Sequence, residues 1–193
     1  MKFSRGYEIR GCFIEEEVMP SKKVSSGGNT PLAQGIMQAM QAEIEGHEFY
    51  KMMSVKSKDK GAKEMFASLA KDEADHHKWL ADMYGKLLEN PHAKVPKLPS
   101  KTKYNFKSPI FTKDFLASRK KKNLEMSALS IGILLETNAI DHYKKQAAKA
   151  ELLWVKKFFD DLAKWEGDHL RALIAQKQFL MREIFDAARF EPF

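Results

Sequence analysis

One pattern is written twice in this chain, and it limits what the chain can bury. A Glu is followed thirty residues later by the motif Leu-Ala-Lys-x-Glu-x-Asp-His. Glu43 precedes Leu69, Ala70, Lys71, Glu73, Asp75 and His76; ninety-three positions on, Glu136 precedes Leu162, Ala163, Lys164, Glu166, Asp168 and His169. Four carboxylates and two imidazoles thus recur at matched spacing.

Read at helical period, each Glu lies in the middle of an apolar stripe. Ile36, Ala39, Met40, Gly46 and Tyr50 surround Glu43, and Leu129, Gly132, Ile133, Ala139, Ile140 and Tyr143 surround Glu136. Phe66, Leu69, Ala70, His76 and Leu80 surround Glu73, and Phe159, Leu162, Ala163, His169, Leu170 and Leu173 surround Glu166. Burying one carboxylate in a core is unfavourable, and burying four together adds mutual repulsion. No Lys or Arg occupies these stripes. Two divalent cations would balance the four negative charges, with both His ligands neutral.

The repeat also specifies an architecture. A helix is expected from Pro31, capped by Thr30, to about Ser57, and a second from the turn at residues 58–61 to about Glu89. Two more are expected over Asn123–Ala148 and Glu151–Ala188. Glu43 and Glu73 flank the first turn at similar distances, so they reach one height in the hairpin, and Glu136 and Glu166 flank the second turn in the same way. A Glu and a His three apart lie on one helix face. Residues 91–121 hold Pro91, Pro96, Pro99 and Pro109 amid Lys and Ser, suiting an extended connection with one short helical turn near Thr112–Ser118. If a two-fold axis relates the hairpins, that connection must span about 40 Å, the length of a helix. The prediction is an all-α fold: a four-helix bundle of two antiparallel hairpins joined by one long crossover, covering 31–188 with the crossover at about 90–122. Residues 1–30 form an N-terminal extension, whose alternation near residues 7–14 suggests a short strand or hairpin, and residues 189–193 form a tail.

Composition narrows the function classes. The 193 residues suit one domain. Cys12 is the only cysteine, which excludes an internal disulfide and a four-Cys iron or zinc cluster within the chain. The net charge of +7 resembles a nucleic-acid signal until it is located: ten Lys or Arg and a single acid, Asp114, lie between Lys94 and Lys122, and the remainder is slightly acidic. The basicity belongs to one connector, read as a solvated loop, so nucleic acid is not an expected partner. The opening residues lack the apolar region of a signal peptide, and the longest nearly apolar stretch, 128–135, is too short to cross a bilayer. A soluble, cytoplasmic protein is expected.

The candidate metal ligands are therefore Glu43, Glu73, His76, Glu136, Glu166 and His169. Oxygen-rich sets containing His suit iron or manganese, and zinc also fits. His77 competes with His76 locally, but its match in the second half is Leu170, so the repeat selects His76. His47, His77 and His142 are read as surface or supporting residues. Tyr50 and Tyr143 lie seven residues after a ligand Glu, where a phenol could reach a carboxylate across the bundle or serve as a core aromatic. Asp75 and Asp168 point about 100° away from the following His, toward solvent or a neighbouring helix. Trp79, Trp154 and Trp165 are read as packing residues.

The segments EIEGHEFY (43–50), FASLAKDEADH (66–76), LETNAIDHY (135–143) and FFDDLAKWEGDH (158–169) resemble the ferritin-like superfamily, and most closely the rubrerythrin family in a short form. The resemblance covers about residues 31–185. It implies a ferritin-like di-iron bundle in which Glu73 and Glu166 bridge two Fe ions, Glu43 and His76 complete one, and Glu136 and His169 the other. It further implies an oxidoreductase, a peroxidase or ferroxidase coupling Fe(II) oxidation to reduction of hydrogen peroxide or O2, served by an external electron donor such as a rubredoxin-like protein. A homo-oligomer, a dimer, is expected, with the alternating segment of residues 1–30 as its candidate contact. Two positions depart from the family pattern: the chain carries no rubredoxin-type cysteines, and an extra Glu found three residues after the third-helix ligand is here Ala139. The ligand set resembles the symmetric ferroxidase centre of bacterioferritin. Two further readings share the pattern: a hydroxylase of an organic substrate resembling the demethoxyubiquinone hydroxylases, and a non-enzymatic iron-binding or regulatory protein.

Overall fold

The computed structural model of the chain describes residues 30–90, 110–117 and 122–188. Among them are five helices and no strand: α1 (Pro31–Lys56), α2 (Lys60–Glu89), the short α3 (Lys113–Ala117), α4 (Asn123–Lys149) and α5 (Leu153–Ala188). This is the all-α class expected, and α3 falls on the anticipated helical turn. The last helix starts at Leu153 instead of Glu151, because Glu151 and Leu152 belong to the turn that leaves α4. The expected strand near residues 7–14, Cys12, the tail and most of the basic connector lie outside the described residues.

The helices begin where the sequence supplies caps. Thr30 Oγ1 accepts a hydrogen bond from Ala33 N at 3.2 Å, with Pro31 at the first helical position. Asp59 Oδ1 does the same for α2, accepting from Ala62 N at 3.0 Å. Helix α1 packs on α2 and α4 on α5, with a smaller contact between α1 and α4.

Two apolar clusters fill the bundle, and each draws on all four long helices. One gathers Ile36, Leu80, Met83, Tyr143, Phe159 and Leu162; the other gathers Tyr50, Phe66, Leu69, Leu129, Leu173 and Leu180. Along every long helix the candidate Glu falls between a residue of one cluster and a residue of the other. The carboxylates therefore form a polar layer across the middle of the bundle. The order of the clusters along the chain also fixes the directions. Helices α1 and α5 run from the first cluster to the second, while α2 and α4 run the opposite way. The α1–α2 turn and the α4–α5 turn consequently lie at opposite ends, and the crossover must return the full length of α2.

Where the crossover arrives, it is tied down. Phe111 and Phe115 join the second cluster, and Asp59 Oδ2 accepts hydrogen bonds from Thr112 N at 2.9 Å and Thr112 Oγ1 at 2.5 Å. Ile110 N donates to Gln176 Oε1 on α5 at 3.1 Å. Buried Glu125, in the first turn of α4, accepts from Lys58 N at 2.7 Å. Asp59 thus serves two strands of chain at once, capping α2 with one oxygen and holding the crossover with the other.

Gly61 permits the close approach. A Cβ at this position would stand 1.8 Å from Ile110 O, a backbone atom that no side-chain rotation can move aside. Gly61→Ala is expected to push the crossover off the turn and to destabilise the protein by about 1–3 kcal/mol. The measurement is the shift of the urea unfolding midpoint at constant slope, and an unchanged midpoint would show that the crossover is not held there.

Candidate metal centre

The structure brings all six candidate ligands into the polar layer, each of them buried. Their donor atoms form two overlapping groups. Glu43, Glu73, His76 and Glu166 make one, and Glu73, Glu136, Glu166 and His169 make the other, with the donor atoms of each group within 4.8 Å of one another. Glu73 and Glu166, the Glu of each Glu-x-x-His pair, belong to both groups. Every group takes three residues from one hairpin and one from the other.

The imidazoles show how the layer is strung. His76 Nδ1 lies 3.1 Å from Glu73 Oε2, 3.3 Å from Glu43 Oε2 and 3.3 Å from Glu166 Oε1. His169 Nδ1 lies 3.1 Å from Glu73 Oε1, 3.1 Å from Glu166 Oε2 and 3.7 Å from Glu136 Oε1. One N–H can serve only one of three acceptors, and neither oxygen of buried Glu166 receives an aligned hydrogen bond. Lone pairs from three carboxylates and one imidazole nitrogen converge on each of two points. That donor chemistry fits a pair of divalent cations, which would replace the missing hydrogen bonds with coordination.

Tyrosines brace the layer from both sides. Tyr143 on α4 donates to Glu43 Oε1 on α1 at 2.5 Å, and Tyr50 on α1 donates to Glu136 Oε1 on α4. The two halves exchange phenols. Each ring is fixed by stacking within the bundle, Tyr50 on Phe66 and Tyr143 on Phe159, and these two pairs are themselves repeat equivalents. Glycines make room: a Cβ on Gly132 would meet the Tyr50 hydroxyl at 3.1 Å, and one on Gly46 would meet Glu73 Cγ at 3.4 Å.

The other histidines stay outside both groups. His47 Nδ1 donates to Ala70 O at 2.7 Å, binding α1 to α2, and His142 Nε2 lies 3.3 Å from Gly35 O. His77 is half-buried on α2. Asp75 is exposed, and Asp168 pairs with Arg171 on its own helix. Trp79 packs in the first cluster, stacked on Phe158. Trp165 does more than pack: its indole stacks on the His76 ring, with centroids 4.4 Å apart and planes 16° from parallel.

Sequence reading missed two features. Asp72, the residue before Glu73, is buried with its carboxylate facing His169 Nε2 at 3.4 Å. Its signal was the variable position of the repeated motif, where the second half has Trp165. The other feature is a cavity of about 240 Å³ between α1 and α4. Gln38, Ala42, Glu45 and Asn138 line its outer part, and Glu43, Glu73, Glu136 and Glu166 its inner part. Ala139 and His142 also line it.

The rubrerythrin family model matches residues 36–177, nearly three-quarters of the chain. A solved structure of a hypothetical protein from Pyrococcus furiosus shares the fold with a TM-score of 0.57, at 23% identity over 81% of this chain and 94% of that one. No curated protein gives a significant match. Among the described residues no helix is long and apolar enough to cross a membrane.

The layer's proton affinity gives a signed pH dependence. Burial, reinforced by the charge of Glu136, pushes Glu73 well above the usual carboxylate range, and burial raises Glu136 to about 7. Burial alone would lower both imidazoles, but the facing carboxylates, Glu166 foremost for His76 and Glu73 for His169, hold them above their ordinary value. Glu166 moves the other way: burial opposes its charge, and His76 and His169 overcome it. A group raised in the folded state holds its proton more tightly there than in the unfolded chain, so its stabilisation is present at low pH and lost as pH climbs. Glu73, Glu136, His76 and His169 share that sign; Glu166 has the opposite one, felt only below the ordinary carboxylate range. The metal-free protein is thus expected to lose stability from roughly pH 5 to pH 8, while the added stability from a saturating divalent metal grows, because the metal displaces these protons. Thermal melts with and without metal across that range check both slopes.

The phenol exchange predicts a second outcome. Tyr143→Phe removes the donor to Glu43 while keeping the ring, so the metal-free protein should lose about 1–3 kcal/mol of stability, and Tyr50→Phe a similar amount. Denaturant titration of the single variants measures it.

Proposed function

This chain belongs to the rubrerythrin family, and from that premise we propose that it is a di-iron oxidoreductase in which Glu43, Glu73, His76, Glu136, Glu166 and His169 hold two iron ions. Glu73 and Glu166 belong to both donor groups, so each would be shared by the two ions. Held there in the ferrous state, the pair would supply the two electrons that, with two protons, take hydrogen peroxide to two molecules of water. The single observation carrying the reading is the burial of both donor groups against a cavity that reaches them from the surface.

The chain's own residues define how a small oxidant is received. Gln38, Glu45 and Asn138 give the cavity a polar mouth, and Glu73, Glu136 and Glu166 line its inner end. A space of about 240 Å³ is smaller than sites that hold drug-sized organic ligands and has room for hydrogen peroxide or O2, which disfavours the hydroxylase reading. Ala139, on the cavity wall where family relatives place a carboxylate, leaves room beside Glu136. Tyr50 and Tyr143 keep Glu136 and Glu43 oriented while the charge on the layer changes, and their own protons are held firmly: burial raises both phenols well above their ordinary value, with Glu136 and Glu43 adding to it. Re-reduction falls to an external donor such as a rubredoxin-like protein.

The test is a rapid-mixing experiment on protein loaded with Fe(II) without oxygen. Peroxide is expected to produce ferric absorption in the near ultraviolet in a fast phase, with about one peroxide consumed per two Fe(II). The Glu73→Ala, Glu166→Ala double variant should lose that phase. If the wild type reacts no faster than the variant, the activity is not that of this centre.

A further inference from the structure

The repeat is not symmetric around its imidazoles. One residue before each Glu of a Glu-x-x-His pair stands Asp72 in the first half and Trp165 in the second. Each lies about 100° round the helix from its own Glu, and each reaches the histidine of the other half. Asp72 Oδ2 lies 3.4 Å from His169 Nε2, whereas Trp165 lays its indole against the face of His76.

The two contacts do different things to an imidazole. His169 turns Nδ1 toward Glu73, Glu136 and Glu166, so Nε2 carries the proton donated to Asp72. A carboxylate on the far nitrogen fixes the tautomer, fixes the ring plane and makes the near nitrogen a stronger electron donor. An indole against the ring also fixes the plane, but it brings no negative charge. Asp72 therefore adds a fifth carboxylate on the His169 side of the layer, and Trp165 adds none on the His76 side. The six ligand types are matched across the repeat, yet the electrostatic setting behind them is not.

We propose that the two metal positions are unequal: the one completed by Glu136 and His169 binds more tightly and fills first, and Asp72 is the positioning residue responsible. The inference rests on the two-metal reading above and says how that site is loaded. Limiting metal gives a protein carrying a single ion beside His169, and the His76 position completes the pair only afterwards.

The test follows binding without recourse to turnover. Metal-free full-length protein is titrated with Co(II) in the absence of oxygen, by calorimetry and visible absorption. Two steps are expected, separated by at least about tenfold in affinity, and Asp72→Asn should weaken the His169 position by about 10- to 100-fold, so that the separation closes or the order reverses, while the His76 position stays nearly unmoved. A zinc titration of the wild type, followed by imidazole ¹⁵N resonances, should shift His169 in the first equivalent and His76 in the second. That order can be read even if Asp72→Asn does not fold. Two equal steps, a first shift at His76, or an Asp72→Asn variant that folds and weakens both steps alike or neither would overturn the proposal while leaving a two-metal centre standing. Failure of the wild type to take up any divalent ion would remove both.

Discussion

Four carboxylates share the middle of this bundle, and their mutual repulsion is the constraint to which the surrounding structure answers. Each would be costly to bury alone, and together they are costlier. Two imidazoles placed one turn after Glu73 and Glu166, two phenols reaching across from the opposite hairpin, and an apolar cluster above and below all limit how the layer can relax. Without cations the layer must hold protons that ordinary carboxylates would have released, and the raised values of Glu73 and Glu136 express that compromise. The layer thus carries unrelieved repulsion in the metal-free fold, which divalent cations held by these donors would offset.

The same constraint explains the topology. Two hairpins must bring matched layers to one height, and they do so with their turns at opposite ends of the bundle. The crossover is the result, and Asp59, Gly61 and Glu125 fasten the returning chain against the α1–α2 turn. Positioning of the site and anchoring of the crossover are therefore handled by separate groups of residues.

Much of this was legible in the sequence because it depends on period. The stripes around each Glu, the three-residue step to His76 and His169, and the ninety-three-residue register that favoured His76 over His77 are properties of a helix read one residue at a time. The phenol exchange was legible as far as direction: Tyr50 and Tyr143 lie on the ligand face, but which carboxylate each meets depends on how α1 approaches α4. What stayed hidden was contact between halves at positions where the repeat differs. Asp72 has the look of an ordinary polar helix residue until α5 is laid beside it, and Trp165 looks like core until His76 is found beneath its ring. The Asp59 bond to Thr112 was hidden for a similar reason, since its two residues are fifty-three positions apart and share no motif.

The division of donors between the hairpins bears on how the chain folds. Either hairpin alone offers three ligands of a group, brought together by contacts about thirty residues apart, and the fourth comes from the other half. Local pairing of this kind forms early and at low entropic cost, whereas joining the halves closes a far longer loop. A hairpin formed first during synthesis would hold an incomplete, water-accessible cluster of acids. Docking of the second hairpin is then also the step at which the acids leave water, so burial of the layer and completion of both donor groups are a single event.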